Sequence, residues 1–175
     1  RSTLFPYTTL FRSRDLVAGA TGSGKSVVVN GIITTLLYRT DAQFILIDPK
    51  RVELSPYKNV PHCIKYASEP QEMVEALHYA MDILERRYKE MQARWERKYS
   101  GSDVYVIIDE FADLMTTNRR VVAPLIQRLA QIGRASKVHI ILCTQTPIAK
   151  VIPTEIKCIS RSEERRVGQE CRSRR

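Results

Sequence analysis

The sequence predicts an α/β protein, a parallel β-sheet flanked by helices, and three observations carry that expectation. The runs Gln43–Pro49 and Val104–Glu110 are apolar without polar alternation, as strands covered on both faces are. Helical stretches separate such runs, and parallel strands require crossovers of that length. A glycine-rich turn, Gly19–Ser26, stands between the first strand and the first helix.

The elements follow in chain order. Asp15–Ala20 is a short strand entering the turn, and Ser26–Tyr38 is the helix after it. Gln43–Pro49 is a buried strand followed by a proline-containing loop, and His62–Ala67 is a weaker strand. Pro70–Lys98 reads as one long helix, with Met73, Leu77, Met81, Leu84, Tyr88, Met91 and Trp95 at alternating steps of four and three. That spacing makes a seam for packing on a helix or on the sheet. Its other faces carry Glu85, Arg86, Arg87, Lys89 and Glu90, expected to be a solvated mixed-charge surface, with a DNA-facing surface as the alternative. Val104–Glu110 is the next strand, Val121–Ala135 a helix, and Lys137–Gln145 a further strand. No internal repeat or low-complexity stretch is visible.

The two ends read differently. Arg1–Ser13 has no period that suits a helix or a strand. One reading frame of a common sequencing adapter encodes these thirteen residues, and its reverse complement encodes a string that matches Arg161–Ser173 except at Gln169. Residues 1–13 and 161–175 are therefore expected to be adapter-encoded and to lie outside the sheet. The alternative for the tail, with its six arginines, is a nucleic-acid-binding arm. Residues 14–160, about 147 of the 175, remain, enough for one domain with a core. The formal net charge is +9, of which the first thirteen residues carry +2 and the last fifteen +3. The +4 left in the body does not by itself imply a nucleic-acid partner. Cys63, Cys143 and Cys158 lack zinc-site spacing and suit reduced, buried thiols, while Cys171 belongs to the tail. No run of eighteen apolar residues is present to span a membrane. No secretory signal is visible, and an adapter-encoded start hides whatever precedes it.

Gly19, Ala20, Thr21, Gly22, Ser23, Gly24, Lys25 and Ser26 spell G-x-x-x-x-G-K-S between a strand and a helix. Glycines let the backbone curl so that successive N–H groups and the positive helix end face an anion. Lys25 is placed to meet β- and γ-phosphates, and Ser26 to ligate Mg²⁺. The apolar strand 104–108 then ends in Asp109, a second carrier of the magnesium shell, and Glu110, the candidate general base for an attacking water. Thr144 and Gln145, at the end of another strand, are of the kind that sense a γ-phosphate between these two motifs. The combination points to an NTPase, with ATP as the expected nucleotide.

The segments "LVAGATGSGKSVVVN", "FILIDPKRVELSPYKNVPHC", "VYVIIDEFADLM" and "RLAQIGRASKVHIILCTQTP" together resemble the motor domain of FtsK/SpoIIIE-type DNA translocases. "IDPKRVELSPY" (Ile47–Tyr57) is the most discriminating of them. The resemblance implies a RecA-like P-loop NTPase fold, here truncated, whose parent forms a hexameric ring around duplex DNA and pumps it with ATP during division or sporulation. It places Lys25 and Ser26 on the nucleotide motif and Asp109 and Glu110 on the acidic motif. It places Arg134 on an arginine that reaches a neighbouring subunit's nucleotide, the alternative being a helix-end charge meeting the dipole. It also implies a cytoplasmic motor whose parent is anchored in the cell membrane. Three departures stand out. Thr146 replaces an arginine that faces DNA in the family, leaving Lys150 and Lys157 as other candidates for backbone contact. Ser100–Asp103 is shorter than the family's usual connection, and the likeness stops near Lys157. A segment this incomplete is expected not to assemble or turn over ATP alone. Conjugation or phage-type DNA pumps of the same superfamily, or a nucleotide-binding scaffold without turnover, are the alternatives.

Overall fold

The computed structural model describes residues 14–19, 22–145 and 164–166. Its centre is a wholly parallel sheet of six strands: β1 (Arg14–Ala18), β2 (Gln43–Ile47), β3 (Cys63–Ala67), β4 (Val104–Ile108), β5 (Val138–Thr144) and β6 (Glu164–Arg166). They lie in the order β3-β2-β4-β5-β1-β6. Among the described residues three α-helices cover the sheet: α1 (Lys25–Arg39), α2 (Pro70–Ala93) and α3 (Phe111–Ile132).

Side chains alternate across each strand, and the central strands β2, β4 and β5 are mainly apolar on both faces. Phe44, Leu46, Tyr105, Ile107, Ile141 and Cys143 face α1 and pack with Val29, Ile33 and Leu36. Their neighbours Ile45, Ile47, Val106, Ile108, Ile140 and Leu142 face α2 and α3, against Leu77, Leu84, Phe111 and Ile126. Cys143 is a buried wall residue, its thiol pushed up to about 12 by desolvation, and so is inert at neutral pH. Cys63 is half-buried, with its thiol also raised by burial, and Cys158 lies outside the described residues.

The long helix ends earlier than its period suggests. Arg94 caps α2, Trp95 turns into the left-handed region at φ 56°, and the amides of Trp95 and Glu96 donate to the carbonyls of Gln92 and Met91. This pair of bonds closes a helix C-terminus in a Schellman arrangement. The chain must turn here because only a short stretch leads to β4, and Tyr99 N–H is already bonded to Ala135 O. Trp95 therefore leaves the seam and stands 94% exposed, whereas Met73, Leu77, Met81, Leu84 and Met91 are buried and Tyr88 is partly so. A large residue at a position suited to glycine costs backbone energy with no packing in return. Trp95→Gly is expected to raise stability by about 1 kcal/mol, read as a higher urea midpoint; an unchanged or lower midpoint refutes this account.

Arg87 also departs from the expected solvated face. It is buried, its guanidinium donates to the carbonyls of Ser136 (2.8 Å) and Lys137 (3.1 Å), and it stacks 4.4 Å over the Tyr99 ring. Main-chain oxygens satisfy the charge, which lets a cation pin α2 to the turn before β5. Glu85, by contrast, is an exposed partner of Arg128 on α3 at 2.8 Å.

Helix α3 begins ten residues before the expected Val121 and ends at Ile132 instead of Ala135. Glu110 sits at φ 52°, ψ 65°, a sharp left-handed step that carries the chain from β4 straight into helix. Thr116 and Thr117 fit the first part by donating to the carbonyls four residues back. A kink at Asn118 (φ −148°, ψ 43°) lies before Pro124, whose missing N–H and ring disturb the preceding turn.

The tail was expected outside the sheet, yet Glu164–Arg166 pairs in parallel with Leu16–Ala18. The pairing uses main-chain groups on the free edge of β1, which accept any extended segment whatever its side chains. Residues 1–13 lie outside the described residues.

Candidate functional site

Parallel strands end on the same edge, and crevices outside those ends are where α/β sheets bind ligands. In register, Ala18 of β1 lies beside Thr144 of β5, Leu142 beside Ile108 of β4, and Ile108 beside Ile47 of β2. Every candidate nucleotide residue except Arg134 follows one of these ends. Strand β5 separates β1 from β4, as its polar end residues suggested.

The turn after β1 is tightly wound. Gly22 and Gly24 adopt φ 80° and 89°, which other residues rarely hold. A Cβ on Gly19 would sit 2.2 Å from Ser23 Oγ. Gly19 N–H donates to Thr144 O at 3.2 Å, tying the turn to β5. Gly24 caps α1 without any side-chain hydrogen bond, so the first-turn amides remain open to an anion. Ser23 Oγ is buried with no partner. A cradle that a Cβ would fill, an uncapped helix end and an orphaned hydroxyl fit a bound phosphate. Ala20 and Thr21 lie outside the described residues.

Lys25 reaches across to Asp109, with Nζ 2.5 Å from Oδ1 and both residues buried. Burial works against the ammonium, but the hydrogen bond and charge of Asp109 outweigh it and hold the Lys25 pKa above its ordinary value. Glu110 is also buried and accepts from Thr144 Oγ1 at 2.9 Å and from Gln145 N–H at 3.1 Å. Its left-handed backbone is of the kind that persists where surrounding contacts over-determine it, often at functional sites. Glu110 and the end of β5 are thus one hydrogen-bonded unit.

Three side chains of the β2–β3 loop join this edge, and none was singled out from the sequence. Ser26 Oγ donates to Glu53 Oε1 at 2.6 Å. Lys50 Nζ lies 3.5 Å from Glu110 Oε2 and 3.9 Å from Asp113. Asp48 is fully buried, its Oδ2 accepting from Leu54 N–H at 3.0 Å while Oδ1 accepts none. The signal was available: "IDPKRVE" places charged residues directly after a buried strand, at the edge where the other strands carry theirs.

Ser26 and Asp109 offer a hydroxyl and a carboxylate, the hard oxygen donors that Mg²⁺ takes. Among the described residues no group of three or more His, Cys, Asp or Glu side chains forms a metal cage.

Arg134 is exposed at the opposite edge, past the end of α3 and before β5 begins. Strand β5 runs seven residues from Val138 to Thr144 between that edge and the site, roughly 20 Å at a strand's rise. The fold therefore does not bring Arg134 to its own phosphate loop. Thr146, Lys150 and Lys157 lie outside the described residues.

Known proteins resemble this chain in sequence and in fold. The sequence is 41% identical to a DNA translocase FtsK of Clostridium acetobutylicum and 38% identical to that of Haemophilus influenzae, over 81% of this chain. Those alignments cover 21% and 34% of the relatives, so the chain spans between a fifth and a third of their length. Among solved structures, the pCW3 conjugation coupling protein TcpA superposes with TM-score 0.72 at 28% identity, over 84% of this chain and 47% of TcpA. The cytoplasmic domain of the Thermomonospora curvata type VII secretion ATPase EccC gives 0.70 at 19% identity, over 85% of this chain and 19% of that one, a likeness of fold. The fold is that of the P-loop ATPases. The FtsK/SpoIIIE family model matches residues 9–104 and 92–149, two stretches that meet around the short connection before β4. The chain belongs to the FtsK/SpoIIIE family.

Proposed function

We propose that this chain is the nucleotide-hydrolysing core of an ATP-driven motor that moves double-stranded DNA, of the chromosome-segregation and cell-division type. The observation that carries the reading is the meeting of Lys25 with Asp109, beside Glu110 and its partners Thr144 and Gln145. Relatives named DNA translocase support the DNA part of it.

In this reading the first-turn amides of α1 receive the β-phosphate, and Lys25 exchanges Asp109 for β- and γ-phosphate oxygens. Ser26 and Asp109 would hold magnesium, which would supply charge neutralisation to the phosphates. Glu110 takes the proton of the attacking water, and Thr144 and Gln145 link that base to the strand beside the γ-phosphate. Arg134 serves a neighbour's nucleotide within a homo-hexamer of the intact parent. That parent is anchored in the membrane with the motor on its cytoplasmic face, and this segment makes no membrane contact itself. Among the described residues no helix is long and apolar enough to cross a membrane. The native domain runs over residues 14–160. Genomic reads across the locus are expected to leave the present sequence near Ser13 and after roughly Lys157; native codons for Arg161–Arg175 would overturn this boundary.

Lys25→Ala is expected to abolish binding of a fluorescent ATP analogue to this chain, since no other cation among the described residues is bonded at the phosphate turn. Retained affinity would remove the basis of the reading. ATPase assays of a full-length parent with and without duplex DNA then separate a translocase, which DNA stimulates, from a scaffold without turnover. The likeness to TcpA favours a second reading, a conjugation-type DNA pump. A parent gene lying among transfer genes would select it.

A further inference from the structure

The hydroxyl of Ser26 points at a residue outside both nucleotide motifs. A serine carries one proton and two lone pairs, and a metal ligand uses a lone pair, so the proton needs an acceptor of its own. In the structure Asp109 accepts from Lys25. Ser26 Oγ instead donates to Glu53 Oε1 at 2.6 Å, within the range of charge-assisted bonds. The position of Glu53 is built from several sides. Leu54, next to it, is fully buried and its amide donates to Asp48. Arg51 N–H donates to Asp48 O, and Tyr57 OH donates to Asn30 Oδ1 on α1, the helix that carries Ser26.

We propose that Glu53 is a positioning residue for magnesium: it accepts the Ser26 proton and so turns the serine's lone pairs toward the metal. The inference rests on the nucleotide-binding reading above. It gives the "IDPKRVE" loop a function at the site, and it makes the metal affinity of Ser26 depend on a loop outside the phosphate turn. Partners of this kind orient ligands and raise their basicity, and losing one typically costs about 10- to 100-fold in metal affinity.

The test uses the 175-residue chain and a fluorescent ATP analogue, titrated first in EDTA and then with rising MgCl₂. Wild type is expected to bind the analogue in EDTA and to tighten with magnesium. Glu53→Ala is expected to need about 10- to 100-fold more magnesium for the same tightening, with binding in EDTA unchanged. Glu53→Gln, which keeps an acceptor oxygen, should show a smaller shift in the same direction. In a Ser26→Ala background, Glu53→Ala should add nothing, because its route to the metal is gone. The proposal is overturned if Glu53→Ala leaves the magnesium titration unchanged, if its effect persists at full size without the Ser26 hydroxyl, or if it weakens binding equally in EDTA. Should Glu53→Ala fail to fold by circular dichroism, an unshifted Glu53→Gln titration overturns it. A wild-type chain that binds no analogue at all overturns both this inference and the reading beneath it; magnesium-tightened binding that is indifferent to Glu53 overturns this one alone.

Discussion

Glu110→Gln, placed in a full-length translocase, is expected to bind ATP and to hydrolyse it at least 100-fold more slowly. A positioned general base contributes about 10² to 10⁴ in rate, and an amide cannot take the proton. Binding should survive because the groups proposed to meet the phosphates, Lys25 and the open first-turn amides of α1, are placed by Asp109 and by the helix, with the Glu110 charge the smallest influence on Lys25. The shape is also kept. Glutamine can still accept from Thr144 Oγ1 and from Gln145 N–H, so the left-handed turn between β4 and α3 retains its support. Lys50, 3.5 Å from the Glu110 carboxylate and part-exposed, loses an ion-pair partner but keeps Asp113 nearby. The measurement is paired: equilibrium binding of an ATP analogue, and single-turnover hydrolysis. Wild-type turnover would remove Glu110 from the base role. Lost binding would mean that the substitution has disturbed the site itself.

The residues that this prediction needs were legible before the structure. The phosphate turn and the acidic pair at the end of β4 are local patterns whose meaning comes from a strand on one side and a helix on the other. The sheet was legible for a similar reason: strands buried on both faces are near-continuous apolar runs, as the central stretches of β2, β4 and β5 are. What escaped was set by contacts distant in sequence. Trp95 continues the heptad-like spacing of α2, yet the turn back toward β4 removes it from the seam. Arg87 looks like a solvent residue by type and is buried because carbonyls of residues 136 and 137 and the Tyr99 ring happen to meet it. The first half of α3 was hidden because a non-glycine residue, Glu110, takes a backbone conformation that composition gives no reason to expect. Asp48, Lys50 and Glu53 were visible as charged residues after a strand, but only strand order β2-β4-β5-β1 brings them to the phosphate edge. The docking of Glu164–Arg166 reflects an open main-chain edge, which no side-chain pattern announces.

Arg134→Ala is expected to inactivate a homomeric ring and to be rescued in a mixed one. Arg134 follows α3 at the edge where β5 begins, and the nucleotide residues stand where β5 ends. Roughly 20 Å of strand separates it from its own phosphate loop, too far for one side chain, so any action on a nucleotide must be on a neighbour's. A guanidinium delivered there completes charge neutralisation in the transition state, and losing such a finger costs about 10³ to 10⁵ in turnover. The experiment mixes Arg134→Ala subunits with Glu110→Gln subunits of a full-length motor. Each alone should be inactive, the first for want of the finger and the second for want of the base. In mixed rings some interfaces pair an intact Glu110 with a neighbour's intact Arg134, and those sites should hydrolyse ATP. Against losses of that size, even a few per cent of wild-type activity stands clear of background. Rings shown to be mixed that stay inactive would refute action in trans, and the strand geometry already rules out action in cis. Arg134 would then be left as a charge at the end of α3, where it meets the helix dipole.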